Sequence, residues 1–207
     1  MKVEQIYTGC LSEATYFIKS GQASAIVDPL RETQKYLDKI AAEKTVLKYI
    51  FITHFHADFV SGHVDLALKT GAKIVFGPNA KAEFEFHSAY DNEIFALGDV
   101  KIKALHTPGH TLESTCYLLF DNVEKEYCLF TGDTLFIGDV GRPDLAVKSH
   151  LSQKDLAELL YKSLREKIFP LRDETIIYPA HGSGSACGKN MSKETFCLLY
   201  TSPSPRD

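Results

Sequence analysis

Residues 53–58 (THFHAD) contain two histidines and an aspartate at alternate positions, directly after the apolar run LKYIFI. In an extended segment alternate side chains share one face, so His54, His56 and Asp58 are predicted to converge. Two imidazoles and a carboxylate suit a borderline divalent metal such as zinc or iron. The alternative interpretation is a polar loop in which Asp58 caps the helix that follows.

Three further segments place a histidine or an aspartate directly after an apolar run. His110 ends the run TPGH, where proline and glycine favour a tight turn. Asp133 lies in FTGDT and His181 lies in PAHG. Functional side chains commonly lie on loops that a rigid scaffold positions. With the first run, these segments predict a metal site at one rim of the fold.

The secondary-structure elements that must position these residues are predicted to be strands followed by a helix, and this order occurs twice. Apolar and β-branched runs predict strands at residues 3–7, 14–19, 24–27, 47–53, 73–76 and 175–178, and several more between 93 and 136. Helical spacing of apolar residues predicts helices at 30–44, 64–68 and 155–168. This order predicts two sheets packed together with helices outside.

Composition is typical of a soluble globular domain. The 207 residues are 44% hydrophobic and 24% charged, which suffices for a sizeable core. The net charge of −4 comes without a basic cluster, so no nucleic-acid partner is expected. No leader-like start and no membrane-spanning apolar run is recognised, and no membrane partner is expected. A cytoplasmic location is the expectation, and the sequence leaves the oligomeric state open.

The five cysteines are scattered and form no CxxC pair, which argues against a disulfide framework and a zinc ribbon. Cys116 and Cys128 lie in strand-like runs and are predicted to pack in the core.

The last eleven residues, 197–207 (CLLYTSPSPRD), continue no earlier pattern. They can be back-translated into the transposase adapter used in sequencing libraries. We therefore expect the domain to comprise residues 1–196, truncated at its C-terminal end, and 197–207 to be a non-native tail without packing partners. The alternative is a genuine disordered tail.

The motifs HxHxD, TPGH, TGD and PAH occur here in that order, and together they resemble the metallo-β-lactamase fold superfamily. The resemblance covers residues 2 to about 196. It implies an α/β (α+β) architecture, the four-layer αββα sandwich, with a metal site at its edge.

Two-metal members of that superfamily bind both ions through these motifs. By resemblance, the first ion is bound by His54, His56 and His110. The second is bound by Asp58, by a histidine directly after it and by His181, with Asp133 bridging. Here the residue after Asp58 is Phe59, which cannot ligate a metal. The departure weakens the resemblance to zinc-dependent thioester hydrolases of the glyoxalase II type, which need the pair of metals.

Two longer segments, residues 135–145 (LFIGDVGRPDL) and 180–190 (AHGSGSACGKN), resemble bacterial persulfide dioxygenases, particularly those fused to rhodanese domains. In that family one Fe(II) is bound by three motif residues, which here are His54, His110 and Asp133. The implied reaction adds both atoms of O2 to the outer sulfur of a low-molecular-weight thiol persulfide and releases sulfite and free thiol. His56, Asp58 and His181 would then orient ligands and water, or act as alternative metal ligands.

Arg142 resembles the family's substrate-side arginine, which can bind a carboxylate or phosphate of the thiol carrier. Its alternative is a solvated loop arginine. Cys187 lies in the glycine- and serine-rich loop after His181, where a thiol of lowered pKa would accept sulfane sulfur. Its alternative is a small residue filling a tight loop. Asp28 resembles a family aspartate that supports the site from behind.

The leading hypothesis is therefore an enzyme with one Fe(II) per chain, whose substrates are a small-molecule persulfide and O2. A rhodanese domain in a longer chain is a further expected partner. The second hypothesis is a zinc-dependent thioester hydrolase, and the third is a fragment that folds poorly. Neither the thiol carrier nor what followed residue 196 can be read from the sequence. The remaining histidines, His63, His87, His106 and His150, are predicted to be surface or core residues.

Overall fold

The N-terminal half forms one six-stranded sheet whose strands lie in chain order. Its strands are β1 (Lys2–Thr8), β2 (Glu13–Ser20), β3 (Ala23–Val27), β4 (Val46–Phe51), β5 (Lys73–Phe76) and β6 (His87–Ser88). The first three are antiparallel, whereas β3 to β6 are parallel. The structure, a computed structural model, describes residues 1–144, 146, 151–188 and 191–201.

The C-terminal half forms a second six-stranded sheet in the order β12-β11-β10-β9-β8-β7. Its strands are β7 (Ile94–Leu97), β8 (Val100–His106), β9 (Thr115–Phe120), β10 (Glu126–Gly132), β11 (Ile176–Pro179) and β12 (Cys197–Leu198). Within this second sheet, β10 and β11 are the one pair of described strands that runs parallel. Their carboxyl ends therefore meet at the same edge of the sheet.

Three α-helices of the described residues cover the outer faces. They are α1 (Gln34–Ala42), α2 (His63–Thr70) and α3 (Gln153–Ser163), and α3 continues into a π-helical turn over Leu164–Ile168. One apolar core lies between the sheets, a second lies between the first sheet and α1 and α2, and a third lies between the second sheet and α3. The predicted αββα sandwich is thus confirmed, and Cys116 and Cys128 are buried core residues as expected.

The helix boundaries follow local chemistry that the periodicity did not resolve. The first helix starts at Gln34 rather than at residue 30, because Leu30 is extended and forms a bridge with Ser61. The second ends where Gly71 adopts φ 72°, a left-handed conformation that costs glycine little. No helix among the described residues is long and apolar enough to cross a membrane.

The start of the C-terminal tail differs from the prediction. Cys197 and Leu198 pair with β11, and Leu199 is fully buried in the third core. The Leu199 and Tyr200 amides donate hydrogen bonds to the carbonyls of Thr175 and Asp173. The expectation that this segment lacks packing partners is therefore wrong for residues 197–201, because CLL is apolar enough to extend the sheet. Residues 202–207 lie outside the described part, and the adapter origin of the tail stays a prediction.

We predict that Leu199→Ala lowers the free energy of unfolding by roughly 2–5 kcal/mol, as expected for a buried leucine. Tyr200→Ala is the matched control, because that side chain is 65% exposed. Urea unfolding of both variants measures the difference. Equal midpoints would show that the tail does not pack on the third core.

Candidate metal centre

Four strand ends bring the predicted residues to one edge of the sandwich. The first run follows β4, TPGH follows β8, and Asp133 and His181 follow the parallel strands β10 and β11. The two sheets are joined at this edge, because the Thr115 amide donates to the Thr53 carbonyl at 2.9 Å. The Tyr117 hydroxyl also donates to the Ile52 carbonyl at 3.0 Å. The centre therefore lies where the two sheets touch.

His54, His110 and Asp133 form a compact group of potential metal ligands, all of them buried. Asp133 Oδ2 lies 3.8 Å from His54 Nε2 and 3.5 Å from His110 Nε2. Metal bonds of about 2.0–2.2 Å place neighbouring ligand atoms roughly 3–3.5 Å apart, so shifts of a few tenths of an ångström suffice to close the group around an ion.

The Asp133 carboxylate has no hydrogen-bond partner at either oxygen among the described residues, although both are buried. Leaving a charged group buried and unpaired is costly, and bound metal is a common remedy. Its second oxygen, Oδ1, lies 3.6 Å from His181 Nε2. The carboxylate thus presents one oxygen to the first group and the other to His181.

Hydrogen bonds at Nδ1 orient the imidazoles. The Thr53 hydroxyl donates to Asp28 Oδ2 at 2.7 Å, so it accepts the proton of His54 Nδ1 at 3.0 Å. His110 Nδ1 lies 3.0 Å from the Arg142 carbonyl, to which it must donate. In both rings Nε2 is then free to offer a lone pair to a metal, as such anchors commonly arrange.

The pKa values of His54 and His181, two of the buried histidines at the centre, shift in opposite directions. Burial, helped by the neighbouring histidines, holds the pKa of His54 well below its usual value, which keeps the ring neutral and able to ligate. Burial also lowers the pKa of His181, but the adjacent Asp58 carboxylate and Cys187 thiol and the charge of Asp133 outweigh it and raise the pKa to about 11. A proton on His181 and a bound cation would compete for the same anionic neighbours.

His56 and Phe59 lie beside this group. His56 Nε2 is 3.0 Å from Asp28 Oδ1, and its ring centroid is 4.3 Å from that of His54. Neither His56 nitrogen has hydrogen-bond geometry to a partner among the described residues. Phe59 stacks on the His56 ring at 4.2 Å. The Asp28 carboxylate accepts hydrogen bonds from the Thr53 amide, at 2.9 Å, and from the Thr53 hydroxyl. Asp28 therefore supports the residues that carry the metal ligands, as expected.

A second group, formed by Asp58, His181 and Cys187, has ligand atoms within 4.8 Å of one another. His181 Nε2 lies 3.1 Å from Asp58 Oδ2, and its Nδ1 lies 3.2 Å from the Ser12 carbonyl. Cys187 is buried, and burial raises the pKa of its thiol. Sulfane acceptance by Cys187 stays a prediction.

A cavity of about 430 Å³ opens onto both groups. Its walls include Phe55, Leu112, Arg142 and Cys187. The Arg142 guanidinium forms a two-pronged ion pair with Asp144, at 3.1 and 2.6 Å. Its role in substrate binding stays a prediction, and a substrate anion would have to compete with Asp144. A larger cavity of about 580 Å³, between α2 and β5, contains none of the predicted ligands.

Sequence reasoning missed three polar residues around the centre: Ser12, Glu13 and Thr53. Thr53 is only the first residue of the motif, and Ser12 acts through its carbonyl, so neither residue type signals its role. Glu13 is buried with one unpartnered oxygen, and burial together with Asp28 raises its pKa to about 8. The sequence around Glu13 predicts only a strand nearby and gives no sign that its carboxyl group is buried.

The other histidines lie away from the two ligand groups. His63 contacts Ser61, His87 pairs with Glu93, and His106 contacts the Leu112 carbonyl. His150 lies outside the described residues.

Comparisons with known proteins place the chain among related metalloenzymes. The family model of the metallo-beta-lactamase superfamily matches residues 8–181. The probable hydroxyacylglutathione hydrolase glo2 of Schizosaccharomyces pombe is 34% identical over 163 residues, 76% of this chain and 58% of the relative. The human mitochondrial persulfide dioxygenase ETHE1 is 31% identical over 171 residues, 81% of this chain and 63% of the relative. The chain thus spans less than two thirds of the length of either.

Solved structures give the same picture. A metallo-beta-lactamase from Staphylococcus aureus superposes with a TM-score of 0.87 at 34% identity, covering 96% of this chain and 60% of that chain. ETHE1 from Myxococcus xanthus superposes with a TM-score of 0.80 at 28% identity, covering 97% of this chain and 80% of that chain.

We predict that Thr53→Val weakens metal binding by roughly 10- to 100-fold, because it removes the acceptor that orients His54. Thr53→Ser retains the hydroxyl and should bind as the unmodified chain does. Competition with a chromophoric chelator measures both affinities. Unchanged affinity in the valine variant would mean that the hydrogen bond does not orient the ligand.

Proposed function

The chain belongs to the metallo-β-lactamase superfamily, and we propose that within it the chain is an Fe(II)-dependent persulfide dioxygenase. Its substrates would be a low-molecular-weight thiol persulfide and O2, and its products sulfite and free thiol. The observation that supports this most is the group of His54, His110 and Asp133, beside which Phe59 occupies the position of a second-metal ligand.

Two histidines and one carboxylate are the ligand set of many non-haem iron oxygenases, because it leaves coordination positions open. Iron bound there would supply those positions to the persulfide sulfur and to O2. The chain itself supplies two imidazoles oriented at Nδ1 and a carboxylate that has no competing hydrogen bond among the described residues. The cavity gives a small substrate access to the same atoms.

The atoms and electrons of the proposed reaction balance without a further oxidant or reductant. A persulfide RSSH, O2 and water give RSH and sulfurous acid, which ionises to sulfite. The outer sulfur gives up four electrons, and O2 accepts them. The S–S bond breaks, and the proton of the leaving thiol comes from water. His181 lies 3.1 Å from Asp58 and 3.6 Å from Asp133, and Asp58 and His181 would hold that water.

A zinc-dependent thioester hydrolase is the second candidate function. It is favoured by the second group, in which His181 lies beside both Asp58 and Asp133 Oδ1, as a two-metal site would require. Relatives of both kinds are about equally similar to this chain. The nature of the metal and the products separate the two candidates.

The deciding experiment measures O2 consumption and sulfite release by the iron-loaded chain with a panel of persulfides. Asp133→Ala and His110→Ala should abolish iron binding and O2 consumption, because each removes a ligand. His56→Ala should cost roughly 10- to 100-fold, as expected of a residue outside the ligand set. Asp38→Ala, an exposed change on α1, is the control and should behave as the unmodified chain. Absence of sulfite, together with thioester cleavage by the zinc-loaded chain, would establish the hydrolase instead.

A second prediction concerns Phe59. Phe59→His places a nitrogen donor next to Asp58, so we expect tighter binding of a second zinc ion and new thioesterase activity at the expense of O2 consumption. Phe59→Leu is the control for loss of the stacked ring. Zinc titration with a thioester hydrolysis assay tests this, and a histidine variant indistinguishable from the leucine variant would contradict it.

A further inference from the structure

The loop that ends at His110, residues 106–110, packs against helix α3. The buried face of α3 is lined by leucines, but it also carries Ser163, which is only 4% exposed. A buried hydroxyl costs free energy unless it is hydrogen-bonded. The Ser163 hydroxyl donates to the Pro108 carbonyl at 2.8 Å. The helix therefore makes a directed polar contact with the loop two residues before the ligand.

A second polar contact comes from Lys167, in the π-helical turn that continues α3. Its ammonium donates to the His106 carbonyl at 2.6 Å and lies 2.8 Å from Asp91 Oδ1. The same Asp91 oxygen accepts a hydrogen bond from the His106 amide at 2.8 Å. Lys167 and Asp91 thus fix the main chain at the start of the loop. Local π-helical turns are frequent at functional positions of helices.

The loop has little room to move away from these contacts. A Cβ at Gly109 would meet Leu160 Cα of α3 at 2.5 Å, so the loop backbone lies directly against the helix backbone. On the other side, His110 Nδ1 donates to the Arg142 carbonyl at 3.0 Å. The ligand is therefore held between α3 and Arg142, and a shift of the loop on α3 would move its ring.

We propose that Ser163 and Lys167 are positioning residues for the metal ligand His110. Their hydrogen bonds hold the main chain of residues 106–108, which sets how His110 Nε2 faces Asp133 Oδ2 across 3.5 Å. The inference rests on His110 being a metal ligand, as the proposed function requires. It goes beyond that function because both residues lie on a helix outside the two ligand groups and act through main-chain carbonyls.

The test measures the Zn²⁺ affinity of the full chain by competition with a chromophoric chelator, with His110→Ala as the reference for loss of the ligand. The double variant Ser163→Ala/Lys167→Met should bind Zn²⁺ roughly 10-fold more weakly, as expected when outer partners of a ligand are lost. Each single variant should show part of this loss. Lys167→Arg should recover the affinity lost in Lys167→Met, because a guanidinium can also donate to a carbonyl and a carboxylate. Lys162→Met, which changes an exposed lysine of α3, is the matched control.

Two further measurements separate positioning from a merely structural contact. A structural contact would lower the melting temperature of the metal-free variant and leave its Zn²⁺ affinity unchanged. Positioning predicts a smaller rise in melting temperature on adding Zn²⁺, since weaker binding stabilises the fold less. It also predicts altered absorption bands of bound Co²⁺, which report the geometry of the ligands.

Unchanged Zn²⁺ affinity and Co²⁺ bands in a folded double variant would overturn the proposal, as would an equal loss in Lys162→Met. Where the double variant does not fold, the same comparison is made with Ser163→Ala, which removes a single oxygen. Failure of the dioxygenase function would appear differently, as absent O2 consumption by the unmodified iron-loaded chain, with the dependence of Zn²⁺ affinity on Ser163 and Lys167 retained.

Discussion

The buried carboxylate of Asp133 is the group on which the arrangement of the centre depends. Both of its oxygens lack a hydrogen bond among the described residues, and an isolated buried charge costs several kcal/mol. The fold meets this cost by surrounding the carboxylate with imidazole nitrogens from three other strand ends: those of His54, His110 and His181. The imidazoles offset only part of that charge, whereas a divalent cation held by Oδ2, His54 and His110 would offset more of it. The stability of this edge and its capacity for metal therefore have the same origin.

The same requirement ties the centre to the packing of the two sheets. The Thr53 hydroxyl forms hydrogen bonds with both Asp28 and the His54 ring. The Thr53 carbonyl accepts a hydrogen bond from the Thr115 amide of the opposite sheet. Gly132, with φ 54°, lies so close that a Cβ there would meet the Thr53 side chain at 2.6 Å. Glycine before Asp133 is thus needed for the chain to turn and for the sheets to approach. A substitution at Thr53 or Gly132 would therefore disturb both metal binding and folding.

Much of this was readable from the sequence, for identifiable physical reasons. The strand ends that carry His54, Asp133 and His181 could be predicted. Each lies where an apolar run stops at a polar residue, which marks the end of a strand at the edge of a sheet. The start of α1 was not, since Leu30 is held extended by a bridge to a distant residue. The packing of Leu199 was missed for a similar reason, as strand pairing between distant segments has no local signal. The contacts of Arg142 were also hard to predict, because its ion pair with Asp144 depends on loop geometry.

The relation between the two halves of the centre explains how one frame supports oxygenation and hydrolysis. Asp133 Oδ2 faces two histidines that every interpretation assigns to a metal, so this half is common to both chemistries. The half at Oδ1 is where chemistry diverges, since its donors decide whether a second ion binds and how strongly it acts as a Lewis acid. A nitrogen after Asp58 would leave that ion with hard and borderline ligands suited to activating water. In this chain Phe59 occupies that position and supplies no donor. A second ion would therefore have fewer ligands at the Oδ1 half, whereas the three donors at the Oδ2 half are complete. This difference between the two halves favours the one-metal chemistry over hydrolysis by a metal pair.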